Sequence, residues 1–137
     1  MTIVPLKQRD LFTRRWRKLE ALDPSEFALH IALVARLRRE LRDDVIVYHV
    51  PNGEYRDKRS AAKLKAMGVL PGVADLVFHS RQPTLFLELK KPHSVLSPAQ
   101  WQFKRRVEAL GCKYAVAHSV SDAITVIHRH GLGWTPK

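Results

Sequence analysis

The spacing of hydrophobic and polar residues changes several times along the chain, and each change marks the boundary of a predicted element. Short apolar runs alternate with longer segments in which apolar residues recur every three or four positions, and turn residues separate them. The predicted elements are a helix from 23 to about 42, a strand over 45–50, a short helix over 60–67, strands over 72–78 and 84–90, a helix over 97–110, a strand over 113–118 and a helix over 121–130. The chain is therefore expected to alternate helices and strands.

Three segments carry apolar residues at the spacing of a helix that buries one face. In the first long helix these residues are Phe27, Ile31, Val34, Leu37 and Leu41. In the next long helix the predicted buried stripe is Ala99, Phe103, Val107 and Leu110. Residues 1–22 form a basic arm with the same spacing, in which Trp16 either packs on the core or stacks on a base.

Both long helices start with a capping-box pattern, in which a polar cap residue precedes a glutamate or glutamine by three positions. Asp23 and Glu26 form one such pair, and Ser97 and Gln100 form the other. Glu26 and Gln100 therefore have a structural interpretation as cap residues. Each also has a functional interpretation, Glu26 on a helix face that could meet the sheet, and Gln100 at a helix end whose dipole favours anions. The pattern leaves both interpretations open.

A polar stretch ending in proline separates the strands over 72–78 and 84–90, which predicts a β-hairpin. A loop centred on Arg81 and Gln82 makes antiparallel pairing place Asp75 directly opposite Glu88. Directly opposed side chains share one face of a sheet, with Cβ atoms roughly 5 Å apart. The sequence therefore predicts two neighbouring carboxylates at the end of this hairpin.

Opposed like charges destabilise a sheet unless a cation or a proton compensates them. Strand alternation places Lys90 on the face of Glu88, while Leu87 and Leu89 point to the other face. Oxygen-only ligation suits Mg2+ or Mn2+ rather than zinc, and the open positions of such an ion bind phosphate oxygens. The arrangement predicts a metal-dependent site for a phosphodiester. The alternative is an edge strand whose charges are simply solvated.

Composition and charge favour a polyanionic partner. The chain has 137 residues, 45% of them hydrophobic, and a net charge of +11 with a pI near 10.3. This balance favours phosphate contact through counterion release, and 137 residues are enough for a single domain with its own core. A basic face either binds DNA or is merely solvated, and the candidate DNA contacts are Arg56, Lys58, Arg59, Lys63, Lys65, Lys104 and Arg105.

Several classes of protein are excluded by the same sequence. No apolar run approaches the ~20 residues of a membrane-spanning helix, and the first residues lack a secretory signal. The single Cys112 cannot form an intrachain disulfide, and no cysteine and histidine cluster has the spacing of a zinc site. We expect a soluble protein in the cytoplasm of a bacterial or phage-infected cell.

Several motifs, in the right order, resemble the virus-type replication-repair nuclease (VRR-NUC) family of the PD-(D/E)xK nuclease superfamily. The resemblance covers roughly residues 23–130. The residues that carry it are Glu26, the segment 49–53, the segment 65–76 that ends at Asp75 and Leu76, the triplet Glu88-Leu89-Lys90, and the segment 96–100. One position departs from the family pattern, because Ala74 stands where the family usually has proline before the aspartate.

The resemblance implies a restriction-endonuclease-like α/β core, with a mixed four-stranded sheet flanked by helices, over residues 23–131. The metal ligands would be Asp75, Glu88 and the main-chain carbonyl of Leu89, and Lys90 would match the catalytic lysine. Glu26 would match an acid that orients a metal-bound water or a second ion, and Gln100 a glutamine that completes the site. Residues 1–22 and 132–137 would be a basic arm and a tail.

What the resemblance implies about activity is hydrolysis of DNA phosphodiesters with Mg2+ or Mn2+, in the manner of Holliday-junction resolvases that act as homodimers. Relatives that act on flaps are the alternative within the superfamily. A basic DNA-binding module without catalysis is the alternative class, and the paired carboxylates argue against it. RNA binding is disfavoured because aromatic residues make up only 8% of the chain and mostly have core spacing.

Overall fold

The computed structural model describes residues 26–51 and 58–133. Its elements are α1 (Glu26–Glu40), β1 (Ile46–His49), α2 (Lys58–Ala66), β2 (Leu76–His79), β3 (Leu85–Leu89), α3 (Pro98–Ala109), β4 (Lys113–Ala117) and α4 (Val120–Arg129). This is the predicted order of helices, strands and hairpin. The predicted basic arm, the cap at Asp23 and the contact residue Arg56 lie outside the described residues, so the proposed division into arm, domain and tail stays a prediction.

Within the described ranges the chain forms two compact units. The sheet unit contains residues 46–51, 58–88 and 95–115. The helical unit contains residues 26–45, 89–94 and 116–133. No helix in residues 26–51 or 58–133 has both the length and the apolar content needed to cross a bilayer.

The sheet has the order β1-β2-β3-β4. Strand β2 pairs with both of its neighbours in antiparallel fashion, and Phe78 lies opposite Leu85 in the hairpin. This confirms the predicted register. It follows because a short polar loop fixes which residues of two connected strands face each other.

Strands β3 and β4 are parallel, which makes the sheet mixed as predicted. The Lys113 N–H donates to the Thr84 carbonyl at 2.8 Å, and the Lys90 N–H donates to the Ala117 carbonyl at 3.0 Å. Both positions advance in the same direction along the two strands, as only parallel pairing allows. Parallel neighbours need a long crossover, and α3 provides it.

The hairpin strands are almost wholly buried. Leu76, Phe78, Leu85 and Leu87 expose 1% or less of their surface, and they share one face of β2 and β3. The opposite face is covered by α3, whose Phe103 makes an edge contact with Phe86 at a centroid distance of 5.1 Å. Burying both faces explains why these strands are near-continuous apolar runs, and it makes any charge within them costly.

In the helical unit, α1 packs on α4. Leu29, Leu33 and Leu37 are buried on α1, and Ala123 and Ile127 are buried on α4. These positions have the three- and four-residue spacing of a helix face. The two helices therefore supply the apolar core of this unit.

Two predicted buried positions are wrong. Phe27 of α1 is 73% exposed, because the buried face is carried by Ala28, Leu29, Ala32 and Leu33 instead. Leu110 is 81% exposed, because it is the C-cap residue of α3 and lies beyond the last turn that packs on the sheet. Both residues lie at helix ends, where the apolar spacing of the sequence extends beyond the part of the helix that packs on a neighbouring element.

Gly72 brings the segment before β2 against the first turn of α3. Its φ is +82°, a conformation that side chains with a Cβ rarely adopt. A Cβ added there would overlap the carbonyl oxygen of Ala99 and lie 2.9 Å from the Gln100 nitrogen. Only glycine therefore permits this close approach of two backbones, which sets the distance between α3 and the residues that follow Gly72.

We predict that Gly72→Ala lowers the free energy of unfolding more than Gly111→Ala does. Gly111 has φ +86° and nothing within 4 Å of an added Cβ, so its substitution costs only the backbone strain of about 1–2 kcal/mol. Gly72→Ala adds the overlap with α3, worth roughly a further 1–3 kcal/mol. Urea denaturation of both variants measures the difference. Equal losses would mean that the close approach to Ala99 does not occur in solution.

Candidate active site

Asp75 and Glu88 lie at the same end of the hairpin. Leu76 and Leu87 are the last paired residues of β2 and β3. Continuing that register by one residue places Asp75 opposite Glu88. Like Phe86 on the same strand, Glu88 is directed to the sheet face that α3 covers.

Glu88 is buried, with only 4% of its surface exposed. Among the residues that the structure describes, Glu88 is the one charged residue that is buried. Removing a carboxylate from water costs several kcal/mol unless hydrogen bonds and a compensating charge accompany it. The Gln100 side-chain amide supplies one such bond, donating from Nε2 to Glu88 Oε1 at 2.9 Å.

The Gln100 side chain caps α3 and also binds Glu88. Its Oε1 accepts from the Ser97 N–H at 2.8 Å, and its own N–H donates to Ser97 Oγ at 3.2 Å, which completes the predicted capping box. Its Nε2 remains for Glu88. The structural and the functional interpretation of this residue are therefore compatible, because the two ends of one amide serve different partners.

Asp75 is half-buried, and its main-chain carbonyl ties it to the end of β1. The carbonyl accepts from the Val50 N–H at 3.2 Å and from His49 Nδ1 at 2.7 Å. Since a carbonyl cannot donate, the Nδ1 nitrogen of His49 carries a proton in this contact. A ring nitrogen of His49 and a carboxylate oxygen of Asp75 lie within 4.8 Å of each other.

Sequence reasoning assigned no role to His49. The signal that could have found it is its position, because it is the last residue of β1 and precedes a turn. Metal-binding histidines commonly donate their second ring nitrogen to a carbonyl, which fixes the tautomer that can bind an ion. His49 has this geometry beside Asp75, and we add it to the candidate site.

Tyr114 is the second residue that the sequence analysis missed. It is 9% exposed, and its ring contacts Phe103 at a centroid distance of 6.3 Å. Burial raises the pKa of the Tyr114 phenol above its usual range, and the negative charges of Glu88, Asp75 and Glu108 raise it further. Both hairpin carboxylates therefore disfavour ionisation of this phenol.

Three predicted site residues belong to the helical unit. Leu89 is the last residue of β3 and is 1% exposed, and Lys90 follows it half-buried, with its main-chain N–H bonded to the Ala117 carbonyl. Glu26 is the half-buried first residue of α1. The roles of the Leu89 carbonyl, Lys90 and Glu26 at the carboxylate pair stay predictions.

The predicted DNA-binding residues that the structure describes differ in their surroundings. Lys58, Arg59, Lys63 and Lys65 are exposed on α2, a helix with no buried residue. Arg105 is exposed on α3. Lys104 is half-buried. Its Nζ lies 2.6 Å from Glu108 Oε1 and 5.3 Å from the Trp101 ring centroid. Helix α2 therefore offers the more available cluster of positive charge.

The donor set of the sheet unit fits a divalent cation. Two acidic residues stand at the same end of the hairpin, one of them buried and held by an amide. A ring nitrogen of the His49 imidazole lies within 4.8 Å of a carboxylate oxygen of the other. Carboxylate oxygens suit Mg2+ and Mn2+, and an imidazole is tolerated better by Mn2+. Within the sheet unit, Asp75, Glu88 and His49 could hold such an ion.

Comparison with known proteins agrees with this geometry. No sequence model of a protein family and no curated protein matches the chain. A solved structure described as a VRR_NUC domain protein is similar to it, with 30% sequence identity and a TM-score of 0.54. The match covers 64% of this chain and 69% of that protein. The predicted fold class and the predicted resemblance are both confirmed. The chain therefore belongs to the VRR-NUC family and carries a nuclease-like domain.

Proposed function

We propose that the protein is a metal-dependent endonuclease that hydrolyses phosphodiester bonds of branched DNA. The observation that carries the proposal is the buried Glu88 carboxylate, held by Gln100 and opposed by Asp75 across the hairpin. Two opposed acids in a desolvated position destabilise a sheet unless a cation or a proton compensates their charges, and a cation is the compensation that a nuclease uses. Because the chain belongs to a nuclease family, we assign such a cation to phosphodiester hydrolysis.

Each residue of the site has a distinct task in this proposal. Asp75 and Glu88 hold the cation, and Gln100 fixes the orientation of the Glu88 carboxylate. His49 fixes the backbone of Asp75 through its hydrogen bond to the carbonyl. The cation, when bound, polarises the scissile phosphate and lowers the pKa of water.

Lys90 and Glu26 take the roles that the resemblance assigns to them. Lys90 neutralises charge that develops on the phosphate, since an ammonium placed beside it acts most strongly in a desolvated site. Glu26 orients the attacking water. The carbonyl of Leu89 is the third ligand. All three assignments rest on the match of this chain to the family motif.

The substrate is nucleic acid because a net charge of +11 attracts a polyanion. Helix α2 contributes four exposed basic residues, and its charge is not neutralised by acids within the helix. Branched DNA, with four-way junctions as the first choice, and a homodimer are carried over from the resemblance. Cleavage of a labelled panel of single-stranded, duplex, flap, fork and four-way substrates, with light scattering on the same sample, tests both.

The first prediction concerns the two carboxylates. Asp75→Asn and Glu88→Gln keep the shape of each side chain but remove the charge that holds the cation, so each lowers the cleavage rate about a hundredfold or more. DNA affinity, measured by fluorescence anisotropy, stays within about twofold. The control is Asp44→Asn, an exposed acid paired with Arg42, which should keep wild-type cleavage. Full cleavage by Glu88→Gln would remove this residue from the mechanism.

The second prediction concerns Gln100→Glu. A glutamate still accepts from the Ser97 N–H, so the capping box survives. It replaces the amide donor beside Glu88 with a second carboxylate, and the ion-free protein should lose roughly 1–3 kcal/mol of stability at neutral pH.

The pH dependence of this loss has a definite sign. Opposed carboxylates raise the pKa of one member of the pair, and stability is lost as pH rises through a folded-state pKa that is raised. The loss therefore grows with pH in EDTA, and Mn2+ reverses it. Gln102→Glu, on an exposed position of the same helix, is the control. Equal melting curves for both variants would contradict the Gln100–Glu88 contact.

The third prediction concerns helix α2. Replacing Lys63 and Lys65 together by alanine should lower the slope of log affinity against log salt by about 1 to 2, because each lost phosphate contact removes roughly 0.9. Replacing Arg38 and Arg129, two exposed cations of the other helices, is the matched control. An unchanged slope in the α2 variant would place the DNA on another surface.

A further inference from the structure

Tyr114 lies on β4, the neighbour of the strand that carries the buried Glu88. The bond from the Lys113 N–H to the Thr84 carbonyl sets the parallel register of β3 and β4, in which Tyr114 is the neighbour of Phe86. Its ring lies on the sheet face that α3 covers, against Phe103. Glu88 follows Phe86 by two residues and so emerges on that same face.

The hydroxyl of Tyr114 is buried and has no hydrogen-bond partner among residues 26–51 and 58–133. A buried hydroxyl without a partner costs about 1–3 kcal/mol, and few are found in folded proteins. A phenylalanine would fill the same space and contact Phe103 equally well without this cost. The hydroxyl therefore needs an explanation that packing does not provide.

The surroundings of the hydroxyl supply that explanation. Glu88 is the strongest of its charged neighbours and Asp75 the next. Burial and these negative neighbours both disfavour ionisation of the phenol, so the hydroxyl keeps its proton at neutral pH and can donate a hydrogen bond. A donor of this kind is complementary to oxygen atoms that carry negative charge.

We propose that Tyr114 is a positioning residue of the cation site, whose hydroxyl donates a hydrogen bond to the ligand oxygen atoms once a divalent ion is held by Asp75 and Glu88. This inference rests on the proposed function. The phenol and the Gln100 amide would then hold the ligand oxygens from two elements, β4 and α3. The hydroxyl, which has no partner among the described residues, acquires one on ion binding.

The experiment compares Tyr114→Phe with the wild type in EDTA and during titration with Mn2+ alone, followed by the melting temperature. In EDTA the variant should melt at the wild-type temperature or above it, because the deleted hydroxyl has no partner within residues 26–51 and 58–133 to lose. With Mn2+ the rise in melting temperature should be smaller, and the apparent affinity for Mn2+ should fall about two- to tenfold, the effect of one hydrogen bond. On DNA, kcat should fall while KM stays constant.

Tyr48→Phe is the matched control. The Tyr48 hydroxyl lies 2.8 Å from His79 Nε2 on an exposed part of the sheet, so its loss removes a phenol oxygen away from the carboxylates. Its Mn2+ titration and cleavage should be those of the wild type. Glu88→Gln is the opposite control and should abolish the effect of Mn2+ on melting.

The outcomes separate this inference from the proposed function. A Tyr114→Phe protein with the wild-type Mn2+ titration, while Glu88→Gln has lost it, overturns the role of Tyr114 alone. A Tyr114→Phe protein that melts lower in EDTA and responds normally to Mn2+ does the same, because the hydroxyl is then structural. A wild type that takes up no Mn2+ and cuts no DNA overturns the proposed function and the role of Tyr114 with it.

Discussion

The buried carboxylate of Glu88 is the constraint on which the arrangement of the sheet unit depends. A charge at 4% exposure in an apolar strand is tolerated only when its oxygens meet donors or a cation. The surrounding elements meet this requirement from different directions. Helix α3 brings the Gln100 amide, and the register of the hairpin brings Asp75, whose charge a bound cation would offset in the proposed function.

Local interactions of the backbone hold the two acidic residues and the Gln100 amide in place. Gly72 lets the segment before β2 pass against the first turn of α3, so the residue that carries one acid and the helix that carries the amide are set at a fixed separation. The Ser97 capping box fixes the rotamer of Gln100 from its other end. The His49 ring and the Val50 N–H both bind the carbonyl of Asp75. Small local interactions thus fix the positions of the two acidic residues and the amide.

The parts of the fold that were predicted from sequence are those governed by local rules. Loop length determined the hairpin register, and with it the opposition of Asp75 and Glu88. The cap of α3 was predicted because Ser97 and Gln100 have capping-box spacing. Phe27 and Leu110 were mispredicted because periodicity does not reveal where a neighbouring surface ends. Tyr114 and His49 were missed because their proximity to the acids depends on pairing with strands far along the chain, which no local pattern encodes.

Calorimetric titration of Mn2+ into the wild-type protein and into a variant with Asp75→Asn and Glu88→Gln together tests the account most directly. The wild type should show one saturable uptake of the ion that is absent from the doubly substituted protein. Identical heats for the two proteins, at concentrations where both are folded, would contradict the claim that this pair of acids exists to hold a cation.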